Sequence, residues 1–130
     1  ARARDILGSD KLLAVEQAVV CETNARRARE IARAHTSTYL KLPNYVNNLR
    51  RLGFSDKDFG DSGSDKLVDA IVAWGDMQAV IDRVRAQQRA GADHVCIQVL
   101  PADPRALPMR EWRDIAAALP AEVARPNASR

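Results

Sequence analysis

The sequence has few aromatic residues, two cysteines and no long hydrophobic segment. Phe, Trp and Tyr make up 5% of its 130 residues. No run of about 18 apolar residues occurs, so the sequence predicts no membrane-spanning helix and no membrane partner. No secretory signal is visible either, which leaves a disulfide unsupported and makes the cytoplasm the expected location. We expect Cys21 and Cys96 to be buried, reduced thiols in apolar strands.

Motifs that bind nucleotides or metals are also missing. Neither GxGxxG nor GxxxxGKS/T occurs, so no phosphate-binding loop is predicted. The cysteines are far apart, and His35 and His94 belong to different predicted elements, which is not the spacing of a zinc site. Neither cysteine stands at a Gly-rich turn or a helix N-terminus, where a reactive thiolate would be favoured.

The charge is mild and evenly distributed. Twenty basic and 17 acidic residues give a net charge of +3. The arginines of the stretch "NARRAREIARAH" recur at helical spacing, which is typical of a solvated helix face. A nucleic-acid partner is therefore not expected, because a dedicated binder would cluster its charge on one face.

The pattern along the chain predicts two strands separated by several helices. The strands span about 13–21 and 93–100, and Val95, Ile97 and Val99 fall on one face of the second strand, opposite His94, Cys96 and Gln98. Helices are predicted at about 24–40 with Thr23 as N-cap, 44–52, 66–75, 77–90 and 109–119, with a loop at 55–64 and a flexible tail at 121–130. Strands that alternate with helices indicate an α/β fold with a parallel sheet. Residues 1–120 form one domain in this interpretation.

Two polar residues interrupt the apolar strands. Glu16 lies inside the first strand, and burying a lone carboxylate is costly, so it must face a polar cavity or pair with a base. Gln98 lies near the carboxyl end of the second strand, where side chains of parallel barrels point into the site. His94 lies near the start of that strand and is expected to be packed and hydrogen-bonded.

Two parallel strands cannot bury both faces of a sheet. Because Ala1 already lies within a helical pattern, we expect the chain to begin inside a longer protein. Exposed sheet edges alternatively predict association with a second copy, as a homodimer.

The stretch "LPNYVNNLRRLGF" combines three Asn with two Arg beside Tyr45. It is either a surface helix with a capped start or a helix over the mouth of a site. Arginine binds phosphate or carboxylate in a planar, bidentate manner, and asparagine both donates and accepts hydrogen bonds.

Four stretches together resemble the C-terminal half of luciferase-like flavin or deazaflavin oxidoreductases, over about residues 1–119. They are "LLAVEQAVVCET", "ARAHTSTYLKLPNYVNNLRRLGF", "DKLVDAIVAWGD" and "AGADHVCIQVL". The resemblance is to the coenzyme F420-dependent oxidoreductases of actinobacteria. It implies a partial (β/α)8 TIM barrel, in which the two predicted strands are strands seven and eight. It further implies that a helical insertion at about 41–75 separates them and that 109–119 is the last helix.

The same resemblance implies a function. The expected cofactor is F420, with FMN and a monooxygenase activity as the alternative, and hydride would pass to or from a small organic substrate. Most cofactor contacts of the family come from earlier strands, which this chain lacks. The residues left to line the cofactor or substrate site are Tyr45, Asn47, Asn48, Arg50, Arg51 and Gln98, and an anionic group would bind through Arg50 or Arg51. A truncated, inactive half-barrel that self-associates is the rival interpretation.

Overall fold

The computed structural model describes residues 2–119 and contains a small parallel sheet among seven α-helices. The predicted tail at 121–130 lies outside the described residues. In chain order the elements are α1 Arg2–Leu7, β1 Ala14–Val20, α2 Ala25–Tyr39, α3 Pro43–Arg51, α4 Asp56–Phe59, a 3-10 turn Gly60–Ser62, α5 Asp65–Ile71, β2 Ala73–Trp74, α6 Met77–Arg89, β3 His94–Val99 and α7 Met109–Ala118.

The sheet is parallel, and β1 is its central strand in the order β2-β1-β3. The two predicted strands are direct neighbours, with Glu16 in register with Cys96 and Ala18 in register with Gln98. On the other edge of β1, Val19 and Val20 pair with the two residues of β2. The predicted α/β class with a parallel sheet is confirmed.

The core lies on both faces of this sheet. Side chains alternate along a strand, and Ala18 and Val20 pack against α2 and α5. Val19 and Val99 pack on the opposite face against α6 and α7. A (β/α)8 barrel has its helices in one outer ring, so this arrangement gives no confirmation of the barrel that the resemblance implies.

Two local expectations were wrong. Asn24 rather than Thr23 caps α2, with its side chain accepting from the Arg27 N–H at 3.1 Å. The helix predicted at 66–75 ends at Ile71, and Ala73 and Trp74 form β2. A two-residue strand carries no periodicity of its own, and its place is set by pairing with β1.

The stretch 55–64 is ordered rather than an open loop. Ser55 donates its backbone N–H to the Asp58 carboxylate at 2.9 Å, which starts the short helix α4. Asp58 also accepts the Ser64 hydroxyl at 2.8 Å. These bonds, the one from the Ser55 backbone first, lower the pKa of Asp58 below its usual 3.8.

Buried polar groups are satisfied by specific partners. Gln17 is almost fully buried, donates to the Ile71 carbonyl at 3.0 Å and accepts from Gln87 of α6 at 2.9 Å. On the α2 side, Arg29 binds Asp69 through two hydrogen bonds of 2.9 and 2.6 Å. The hydrogen bonds from Arg29 hold the pKa of Asp69 below its usual value, so this ion pair persists well into the acid range.

The face of β3 that carries His94, Cys96 and Gln98 is exposed, whereas Val95 and Ile97 are half-buried and Val99 is buried. The predicted alternation is confirmed, but two expectations attached to it were wrong. Cys96 is an exposed free thiol, and His94 is exposed rather than packed. The reason is that α2 and α5 cover the sheet at Ala18 and Val20 of β1 but do not extend over this face of β3. Cys21 is half-buried and also free.

Candidate functional site

A cavity of about 290 Å³ lies between β1, the second half of α2 and helix α3. Its lining is mostly apolar and includes Glu16 of β1, His35 and Tyr39 of α2, and Tyr45 and Asn48 of α3. Three separate elements therefore meet at one concave surface that opens to solvent. Clefts of this kind, apolar with a few polar groups, are the usual sites of small ligands.

The chain direction at Pro43 brings α3 over the cavity. Pro43 begins α3 at a position where its missing N–H costs nothing, and α2 ends at Tyr39, so the two helices are joined by a short connection. Tyr45 packs on Tyr39 with ring centroids 4.8 Å apart, and Tyr39 packs on His35 at 5.0 Å. These three rings form a continuous aromatic wall, in tilted contacts that aromatic pairs prefer.

His35 and Glu16 are the titratable pair nearest this wall. Burial lowers the pKa of His35 below its ordinary value of 6.5, and the charge of Glu16 opposes that shift. The imidazole is therefore uncharged at neutral pH. Glu16 is exposed to solvent, and within residues 2–119 its carboxylate accepts no hydrogen bond and forms no ion pair.

Thr36 fixes α2 in this position. It is buried, and its hydroxyl donates to the Ser62 carbonyl at 3.1 Å. Arg33 of the same helix donates to the Gly63 carbonyl at 2.9 Å. The second half of α2 is thus tied to the segment before α5, which makes the His35 and Tyr39 side of the cavity a stable wall.

The predicted site residues are divided among different places. Tyr45 and Asn48 line the cavity. Arg50 is held by Asp56, with Nη2 and Oδ1 2.6 Å apart, and it also bonds Asn47 at 3.2 Å. Arg51 is exposed on α3. The arginines and Asn47 do not line this cavity, so a role for Arg50 or Arg51 with an anionic group stays a prediction.

Gln98 lies in a second, shallower groove. This groove of about 490 Å³ runs between β1 and β3 and is lined by Glu16, Cys96 and Gln98, among others. Glu16 belongs to both depressions, so the groove adjoins the cavity at this residue. The sequence pointed to Gln98 and Glu16, but it did not single out His35 or Tyr39 as residues of this site.

Cys21 faces a third depression at the carboxyl end of β1. Burial raises the pKa of the Cys21 thiol above its ordinary 9.0; the charges of Glu111 and Asp114 add to this, and that of Arg110 opposes it. The thiol is therefore protonated at neutral pH, which is the wrong state for a nucleophile. Among the residues described here, no group of three or more His, Cys, Asp or Glu side chains could hold a metal ion.

The comparisons with known proteins identify no relative. No protein-family profile matches the chain, and neither a curated protein nor a solved structure gives a significant match. In residues 2–119, none of the helices has the length and apolar character needed to cross a bilayer.

Proposed function

We propose that the chain is the C-terminal part of an F420-dependent, luciferase-like oxidoreductase that transfers a hydride between the deazaflavin and a small organic substrate. One observation carries the proposal: helix α3, from the segment that the resemblance makes an insertion, lies over a cavity lined by Tyr45 and Asn48. Two of the six proposed binding residues thereby meet the strand and helix that form the rest of the site.

The cavity fits one flat ring system rather than a whole cofactor. Its volume of about 290 Å³ is at the lower end of ligand sites. None of the side chains that line it is cationic, so it does not fit a cofactor phosphate. The cofactor would supply the hydride chemistry, while this chain would orient the substrate and exclude water through the Tyr39 and Tyr45 rings.

The test is the visible absorption spectrum of the protein isolated from its native source, together with its intact mass. We expect a mass near twice the 14.3 kDa of this chain and a bound deazaflavin chromophore. A flavin spectrum would instead favour the FMN-dependent monooxygenase. A colourless protein that binds neither cofactor on titration contradicts both versions.

Arg51 is the better of the two arginines for a cofactor anion. Arg50 is held by Asp56, whereas the exposed Arg51 forms no ion pair within residues 2–119. We expect Arg51→Ala to weaken F420 binding to the native protein about tenfold, which is about 1.4 kcal/mol. Lys57→Ala, which removes another exposed cation, is the control and should leave the titration unchanged. Equal affinity of the Arg51→Ala and wild-type proteins would remove Arg51 from the site.

A second candidate is a self-associating module without activity. It is favoured by β3, which within residues 2–119 pairs only with β1 and leaves its other edge open. An open edge is a template for pairing with another chain. Light scattering of the purified 130-residue chain tests this candidate, because it requires a dimer, and a monomer would contradict it.

A further inference from the structure

Among residues 2–119, the carboxylate of Glu16 is the only formally charged group that lines the α2–α3 cavity. Several acidic groups elsewhere in the fold have basic partners, such as Asp69 with Arg29 and Asp56 with Arg50. Glu16 has no such partner within residues 2–119, although basic residues outnumber acidic ones in the sequence. The cavity therefore has a net negative charge and an acceptor that is free to bind a ligand.

The aromatic wall stands beside this charge. The Tyr39 and Tyr45 rings are in contact, Tyr45 is 43% exposed, and neither hydroxyl has a hydrogen-bond partner among the described residues. The faces of tyrosine rings attract cations through their quadrupole. A carboxylate next to two tyrosines therefore favours a positive ligand, while an anion would be repelled by Glu16.

We propose that this cavity binds a small organic amine, whose charged nitrogen lies against the Glu16 carboxylate and whose carbon skeleton packs on the Tyr39 and Tyr45 rings. The volume of about 290 Å³ limits the ligand to one ring with a short chain. The neutral imidazole of His35 adds a polar wall without repelling the cation. The inference rests on the proposed function in one respect, which is that such an amine would be the substrate class of the proposed oxidoreductase.

The test compares three probes of one shape on the purified 130-residue chain, with no cofactor added. Benzylamine is a cation, benzyl alcohol its neutral analogue and benzoate its anionic one. Calorimetry is expected to give benzylamine an affinity about tenfold higher than that of benzyl alcohol, and no heat for benzoate. No F420 is present in this experiment, so a failure to bind benzylamine would not contradict the proposed cofactor. A native protein without a deazaflavin spectrum would, in turn, not contradict the binding of an amine.

Two variants separate the charge from the rings. Glu16→Gln keeps the shape and is exposed, so it should fold normally and lose the preference for benzylamine over benzyl alcohol. Tyr45→Ala should weaken both probes, and benzylamine at least as much as benzyl alcohol, because the ring contacts the carbon skeleton of both and also attracts the cation. Glu30→Gln is the matched control, because Glu30 lies outside the cavity and pairs with Arg26. The proposal would be overturned if the wild type bound benzylamine and benzyl alcohol equally, or if it bound benzoate more tightly than benzylamine. It would also be overturned if Glu30→Gln lost the preference for benzylamine as Glu16→Gln does.

Discussion

Replacement of Leu67 by Ala is expected to lower the free energy of unfolding by about 2–5 kcal/mol, the range found when large apolar side chains are deleted from protein cores. Leu67 is fully buried on α5 and is the largest of the completely buried side chains in the described part of the chain. It packs near Gly63, where an added Cβ would lie 3.5 Å from the Leu67 side chain. The lost burial and the cavity left behind both contribute to the expected cost.

Urea unfolding followed by circular dichroism measures this effect. Leu52→Ala makes the same chemical change at a residue that is 66% exposed, and it is expected to change stability by less than about 0.5 kcal/mol. If the two variants unfold at the same urea concentration, α5 does not pack as described.

Gln17→Leu is expected to lower the free energy of unfolding by about 1–3 kcal/mol, the cost of leaving buried polar groups without partners. Leucine fills nearly the same volume but cannot donate to the Ile71 carbonyl or accept from Gln87. The Ile71 carbonyl and the Gln87 amide would then each lose a hydrogen-bond partner beside the central strand. The substitution would remove the hydrogen bonds from β1 to α5 and from β1 to α6 together, because the one Gln17 side chain makes both.

Gln78→Leu is the matched control for this prediction. Gln78 is exposed on α6, and within the described part of the chain its side chain bonds only Asp82, at 2.9 Å, so the same substitution there should be nearly neutral. A neutral Gln17→Leu would mean that the buried amide is dispensable. A double variant with Gln87→Leu should recover part of the stability, because it removes the unpaired partner as well.

Much of the fold was predictable because it depends on local patterns. The alternation in β3 correctly separated Val95, Ile97 and Val99 from the exposed His94, Cys96 and Gln98. The apolar run around Val19 predicted a strand, and its parallel pairing with β3 followed from the helices between them. Both strand β2 and helix α4 were missed, because pairing with β1 and the bond between Ser55 and Asp58 decide them.

The site was predicted only in part, because a cavity depends on how elements pack. Tyr45 and Asn48 were selected from an unusual composition, and they do line the cavity. Arg50 was selected for its charge, but Asp56, six residues on, binds it. His35 and Tyr39 were not selected, because nothing in the sequence reveals that α3 packs beside them.

The walls of the cavity differ in how firmly they are attached to the protein. Glu16 belongs to the central strand of the sheet, whereas α3 has no buried residue and reaches α2 through the contact between Tyr45 and Tyr39. Elements with few buried contacts open locally at low cost, long before the sheet does. The charge that recognises a ligand would thus belong to the firmly held strand, while the ligand's rates of entry and escape would be set by the opening of α3. Selection could then change the residence time of a ligand through α3 alone, without altering the charge that recognises it.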